Sequence, residues 1–366
     1  MEYTLSSSFT TRFLTVSSPA NTTPRFAGNL KSFSPFKSSV TKRCRLVVAS
    51  YCEFSSLNTP IEPVTPAGRF LSSVLLNERK SFHDAVAETL EKLVNDVDEA
   101  NKRTVLTADS TEACLHRRIA ELKERECKIA IEDVMYMLIL YKFYELKVHI
   151  IPRLSKCIYN NRLEILPSKD WELESIHSFE VLEMIRQHLT SVTGWRSDFS
   201  VTDSWATTQI KRADLSQLYT SSILFGYFLK SATLRHQLEM SLVDPIGDMV
   251  FNTFRRMNLV FGDTLNTMMI TTTPFDGKKK REKLSSYLMG FSPDSLTKCA
   301  QPNSKEALNL IAKHSLALFG DVESDKVIST SFATLKRFGL EAIAFGSFLW
   351  DTEEYVNTVY NLEENN

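Results

Sequence analysis

The sequence predicts a mainly α-helical protein built from two diverged copies of a small helical unit packed together, the first copy interrupted by a helical insertion. Three observations carry this. Apolar residues recur at helical rather than alternating spacing, helix-start and helix-stop residues punctuate those stretches, and one stretch returns at an offset of 120 residues. The chain has 366 residues, of which 43% are apolar and 24% charged, so it has material for a sizeable core and lacks the composition of a disordered protein. Its 43 basic and 44 acidic residues give a formal charge of −1, so no positive excess favours nucleic acid or anionic lipid as a partner.

Residues 1–50 stand apart. They hold 17 Ser or Thr, seven basic residues and a single acid, Glu2, which is the composition of an organelle transit peptide. A secretory signal needs an uninterrupted apolar run, and Arg12 with its Thr and Ser neighbours breaks the longest candidate. The Ser/Thr richness and the segment from Cys44 to Ser50 read as a chloroplast transit peptide cleaved near Ala49. Its removal leaves 36 basic and 43 acidic residues, so the mature chain carries a formal charge of −7.

The first unit is read over 51–270. The segment Thr65-Pro66-Ala-Gly-Arg-Phe70-Leu71 opens it and is followed by a helix-forming stretch. An insertion near 98–200 carries its own helical periodicity at Ile129–Ile151, stopped by Pro152, and at Phe179–Leu189. The repeated helix follows over 215–230, Asp244-Pro245 begins another through Met257, and residues 271–277 read as a loop before the basic run 278–281, a solvated helix start. The second unit is read over 271–366. Ser292-Pro293 caps one helix, Asn303 and Glu306 form a capping box for the next, and Gly320 ends that one. Short strands are expected near Val201 and Val327.

The repeat puts Leu215, Ser222, Phe225, Gly226 and Leu229 in register with Leu335, Ala342, Phe345, Gly346 and Leu349. Each set lies on one helical stripe. Glycine inside a helix costs up to about 1 kcal/mol against alanine, so its recurrence at one place asks for a packing reason, and a close crossing of the two helices supplies it. These ten residues are the candidate packing surface, with Lys230 on the outer face.

No residue pattern spells out a reaction. Walker, GxGxxG, HExxH and GxSxG patterns are absent, so no catalytic residue, metal or cofactor is expected. His177 and His188 with Glu180 and Glu183 are read as exposed helix residues, a metal site being the alternative; His149, His236 and His314 are read as bonding locally. Asp351, Glu353 and Glu354 are read as a solvated face, and the aromatics Phe225, Tyr227, Phe228, Phe345, Phe348 and Trp350 as core. The cysteines beyond the presequence have no CxxC spacing and read as scattered thiols, with a redox-regulated Cys114–Cys127 pair as the alternative. The stretch Leu215–Leu229 is too short and too polar to span a bilayer, which leaves peripheral membrane contact at most.

The series Tyr287-Leu-Met-Gly-Phe-Ser-Pro-Asp-Ser-Leu296, Ser304-Lys-Glu-Ala307, Leu318-Phe-Gly320 and Ala344-Phe-Gly-Ser-Phe-Leu-Trp-Asp-Thr-Glu-Glu-Tyr355 resembles the plant chloroplast UV-B-induced proteins. Their shared domain, of unknown function, also occurs as a short cyanobacterial protein. The resemblance runs from about Thr65 to the C-terminus, is expected to exclude the insertion, and implies a location in the plastid stroma; it carries no catalytic residues. The leading expectation is therefore a noncatalytic, stress- or light-responsive interaction or regulatory protein with a protein partner. A binder of an apolar pigment or lipid between the paired helices is one alternative, and an enzyme with an unrecognised site is another.

Overall fold

The computed structural model describes residues 58–107, 111–193, 206–243, 283–320 and 326–365. The expected transit peptide, the strand near Val201, the helix through Met257, the loop 271–277 and the basic run 278–281 lie outside these residues.

The described chain is mainly helical. Helix α1 (Pro66–Asn77) starts where Thr65 accepts a hydrogen bond from the Gly68 amide and proline takes the first position. Helices α2 (Phe82–Leu106) and α3 (Ala113–Glu145) form an antiparallel hairpin. Short α4 (Leu154–Cys157), strands β1 (Ile158–Tyr159) and β2 (Arg162–Leu163) and α5 (Asp170–Glu174) lead to α6 (Phe179–Thr193). Strand β3 (Thr207–Lys211) runs directly into α7 (Arg212–Val243). After α8 (Leu284–Met289), α9 (Pro293–Ala300) and α10 (Lys305–Phe319), strand β4 (Val327–Ser331) runs directly into α11 (Phe332–Asn357).

The helix expected to reach Ile151 ends at Glu145. Lys147 adopts φ +56°, which terminates the turn, and Pro152 lies in the extended chain that follows. The cap of α10 also falls one residue later than expected: Ser304 accepts from the Ala307 amide, and Glu306 is buried in the first turn. The expected stops and starts at Ser292-Pro293 and Gly320 are in place, Gly320 with φ +66°, a conformation that strains other residues.

The four strands form one small sheet in the order β1-β2-β4-β3, with β2 and β4 parallel and the outer pairs antiparallel. In the β3/β4 pair Gln209 faces Ser329. The sheet sets the starts of α7 and α11, which share the most extensive contact among the described elements. A single buried cluster joins them to the rest. Ile131, Met135 and Phe143 of α3, Ile185 of α6, Tyr219 and Ile223 of α7, Leu310 of α10 and Phe338 and Phe345 of α11 all belong to it, each large apolar side chain worth about 1.5–3 kcal/mol of burial. Helices from the segment read as an insertion are thus part of this core.

Candidate functional site

Where α7 crosses α11, the two backbones touch. A Cβ on Gly226 would overlap the Ile343 carbonyl oxygen and lie 2.7 Å from its carbon; a Cβ on Gly346 would overlap the Ile223 carbonyl oxygen and lie 2.8 Å from the Tyr227 nitrogen. Ser347 Oγ donates to the Gly226 carbonyl at 3.3 Å across the same crossing. Leu215, Ser222, Leu229, Leu335, Ala342, Phe345 and Leu349 are buried, and Phe225 is half-buried. They do not all face one another. Ser222 Oγ bonds His188 Nε2 of α6 at 3.1 Å, and Phe225 stacks on the same imidazole at 4.1 Å between ring centres. Phe345 stacks on His314 of α10 at 4.4 Å. Both imidazoles are driven toward the neutral form by burial, His188 to about 4 and His314 to about 3.

Beside the crossing lies a buried polar network that the sequence did not single out. Arg337 and Glu341, one turn apart on α11, form an ion pair at 2.8 Å with almost no exposure. Glu341 also accepts from the Ile151 amide at 2.9 and 3.1 Å and from the Tyr219 hydroxyl at 3.4 Å, while Arg337 Nη2 donates to the His149 carbonyl at 3.0 Å. Tyr219 Oη lies 3.1 Å from His314 Nε2. With the Tyr219 proton directed at the acceptor-only carboxylate, the imidazole donates from Nε2, giving a chain from His314 through Tyr219 to Glu341. His314 therefore bonds a distant helix rather than a local group. Burial pushes the Glu341 carboxyl upward despite Arg337, and raises the Tyr219 hydroxyl as well. The interrupted extended segment 148–153 thus hangs its backbone on α11, which is a structural use of these charges. The only signal for it in the sequence is an Arg and a Glu four residues apart inside an apolar run.

The acids read as a solvated face are mostly not solvated. Glu353 is buried and accepts from the Tyr227 hydroxyl and from both the amide, at 2.6 Å, and the hydroxyl of Ser304; Asn303 N in turn donates to Tyr227 Oη at 3.2 Å. Asp351 bridges Lys142 at 3.2 Å and Lys230 at 3.0 Å, so Lys230 is not a free outer residue. Glu354 alone is exposed. The difference arises because positions 351, 353 and 354 point along three directions of one helix.

Two cavities adjoin these elements. One of about 490 Å³ is lined by Asn303, Ser304, Glu353, Glu354 and Glu364, beside the N-terminus of α10. The other, of about 670 Å³, lies between α6 and α11 with Arg186, Lys336 and Leu340 in its wall. Lys336 is already paired with Asp170 at 3.2 Å and Glu174 at 3.0 Å. The aromatic stripe opens into neither.

Metal ligation by His177 and His188 finds no support. Among the described residues no three His, Cys, Asp or Glu side chains gather to hold an ion. His188 is engaged with Ser222, and His177 precedes α6 as a half-buried ring held down at about 4 by burial, so neither is the exposed helix residue expected. A Cys114–Cys127 disulfide is excluded by geometry: both lie on α3, thirteen residues apart, about 20 Å along the axis against the 4.4–6.8 Å a disulfide spans. No described helix is long and apolar enough to cross a membrane.

No solved structure matches the chain. A family model described as a protein of unknown function, DUF760, matches residues 114–242. That range covers most of 98–200, so the segment expected to lie outside the resemblance is instead the heart of the matched domain, in keeping with its buried helices. A chloroplastic UV-B-induced protein of Arabidopsis thaliana is 33% identical over 330 residues, covering 82% of this chain and 77% of the relative. On that likeness the chain belongs to the family of plant chloroplast UV-B-induced proteins.

Proposed function

We propose that this protein is a noncatalytic plastid stromal protein that acts by binding another protein in a stress- or light-responsive setting, and that its core is a rigid two-copy scaffold. The observation that carries this is the reciprocal crossing of Gly226 and Gly346. Backbone against backbone leaves no room between the paired helices for a pigment or lipid, and the chemistry-bearing side chains nearby are buried and engaged within the fold, Arg337, Glu341, Tyr219 and His314 in one chain of bonds and Glu353 with Tyr227 and Ser304. Side chains so placed hold a fold together rather than meet a substrate.

Several relations support the two-copy reading, with 51–270 and 271–366 as the units. Strands β3 and β4 and the starts of α7 and α11 are each offset by 120 residues. Gln209 pairs with Ser329 at that same offset, and the glycine contacts exchange under it, as a local two-fold axis between the copies requires. The chloroplastic relative and the Ser/Thr-rich, acid-poor composition of 1–50 support cleavage of a transit peptide and residence in the stroma.

The test has two parts. A fusion of residues 1–60 to a fluorescent reporter should accumulate in plastid stroma; signal in cytosol or mitochondria overturns the location. A tagged chain cross-linked in stroma before and after UV-B exposure should retain a partner that rebinds as a purified component. No such partner, or a ligand recovered from within the core, overturns the interaction reading.

A further inference from the structure

The outer half of the α2/α3 hairpin buries little. Beyond Leu90 the only fully buried residue of α2 is Ala100, and on α3 full burial begins at Cys127. The two helices stay in register through Cys127 Sγ on the Leu93 carbonyl at 3.9 Å and Thr104 Oγ1 on the His116 carbonyl at 3.4 Å, which sets Ala100 opposite Ala120. This arm therefore uses its small residues inward. Leu93, Val94 and Val97 of α2 also pack partly against the core, but four large apolar residues of α3 stay uncovered.

On α3, Leu115, Ile119, Leu122 and Ile129 are 59%, 39%, 43% and 44% exposed. Their spacing of four, three and seven residues makes a narrow seam with the 3.5-residue period of a coiled coil, about 21 Å long. The positions flanking that seam are Arg118 and Arg125 on one side and His116 and Lys123 on the other, with no acid among them. Arg118 and Lys123 pair with Glu121 and Glu126 at 3.0 and 3.5 Å, but these are exposed pairs of little worth and can be exchanged for better ones.

We propose that this seam docks an amphipathic α-helix of another protein whose apolar stripe is flanked by Asp or Glu. The inference rests on the interaction reading above and names the partner class. Charge complementarity selects the occupant. A second copy of the chain would set Arg118, Lys123 and Arg125 against one another in either helix orientation, which the flanking positions of a coiled coil disfavour. A bilayer surface asks for a broad apolar face and a strongly basic polar face; here the seam is narrow, Glu126 interrupts it, and Glu121 and Glu124 occupy the opposite side.

Two synthetic three-heptad helical peptides, each with Leu in the seam and either Glu or Lys at every flanking position, test this by fluorescence anisotropy against the full chain. The Glu peptide should bind at least about ten-fold more tightly than the Lys peptide, more so at low salt. Ile119→Glu should abolish that binding with the thermal melt unchanged, since the residue is exposed, and the double change Arg118→Glu with Arg125→Glu should reverse the peptide preference. Equal binding of the two peptides, binding indifferent to Ile119→Glu, capture by anionic vesicles that Ile119→Glu abolishes, or a self-dimer broken by Ile119→Glu would each overturn the proposal. A purified stromal partner held equally by wild type and Ile119→Glu overturns this seam and leaves the interaction reading standing; if no stromal partner is held at all, both fall.

Discussion

Gly226 and Gly346 each seat against the backbone of the other's helix, Gly226 on Ile343 and Gly346 on Ile223. The contact is carbonyl against α-carbon, so even one methyl group has to move a helix. Gly226→Ala and Gly346→Ala should therefore each cost on the order of 3 kcal/mol or more, seen as a lower urea midpoint, whereas Gln237→Ala on the exposed face of α7 should stay within about 0.5 kcal/mol. A tolerated alanine at both glycines would contradict the close crossing. Lys230→Leu is a poorer control than the sequence implied, because it removes a partly exposed pair with Asp351 and should cost a few tenths to about 1 kcal/mol.

The pair Arg337 and Glu341 should behave as a unit. Arg337→Met leaves a buried carboxylate without its cation and should cost about 3–5 kcal/mol, and Glu341→Met should do the same to the guanidinium. The double replacement should cost much less than the two together, since no buried charge is then stranded. A double-mutant cycle by denaturant unfolding measures this coupling, and simple additivity would show that the ion pair is not what holds the extended segment 148–153 on α11.

Much of the architecture was legible because it is local. Helical periodicity, Thr65-Pro66, Ser292-Pro293 and Gly320 mark elements through residues close in sequence, and the recurrence of Phe225-Gly226 as Phe345-Gly346 pointed to the α7/α11 crossing. What the sequence hid is long-range. Glu353 looks like part of an exposed acidic run until Tyr227 and Ser304 arrive from other helices, and His314 looks like a lone core histidine until Tyr219 faces it. The end of α3 was misplaced for a related reason: Pro152 is a visible stop, but the turn at Lys147 has no such marker, and Ile151 leaves helical geometry to reach Glu341. The central packing of 98–200 was not legible either, because periodicity shows that a helix exists and not where it packs.

Cysteine chemistry provides a direct check on the α3 hairpin. Cys114 is exposed, while Cys127 and Cys299 are buried, and burial raises the Cys127 thiol and lifts Cys157 to about 11. Iodoacetamide on the native protein should label Cys114 well before these three by peptide mapping, with the difference erased in denaturant. Mild oxidation should yield no Cys114–Cys127 linked peptide. Recovery of that peptide from a monomer would require α3 to break between the two residues.

The two imidazoles stacked on Phe225 and Phe345 make stability depend on pH in a defined direction. In the unfolded chain each titrates near 6.5, whereas in the fold His188 sits at about 4 and His314 at about 3. Between those limits the unfolded state binds more protons, so the stabilisation is complete above 6.5 and is lost as pH falls toward the folded values. For His314 the full span corresponds to several kcal/mol, of which roughly 1.4 kcal/mol should disappear per pH unit once below 6. Glu341 works the other way: its raised folded value gives stability that is present below the ordinary 4.5 and is lost as pH rises through the folded value. Comparing wild type with His314→Phe cancels that opposing contribution to first order. The variant should lose the Tyr219 hydrogen bond and be less stable at pH 8, yet its stability should fall less steeply between pH 6 and 4.5. Parallel stability curves for the two proteins over that range would show that His314 is not held neutral by its burial among Tyr219, Tyr136 and Phe345.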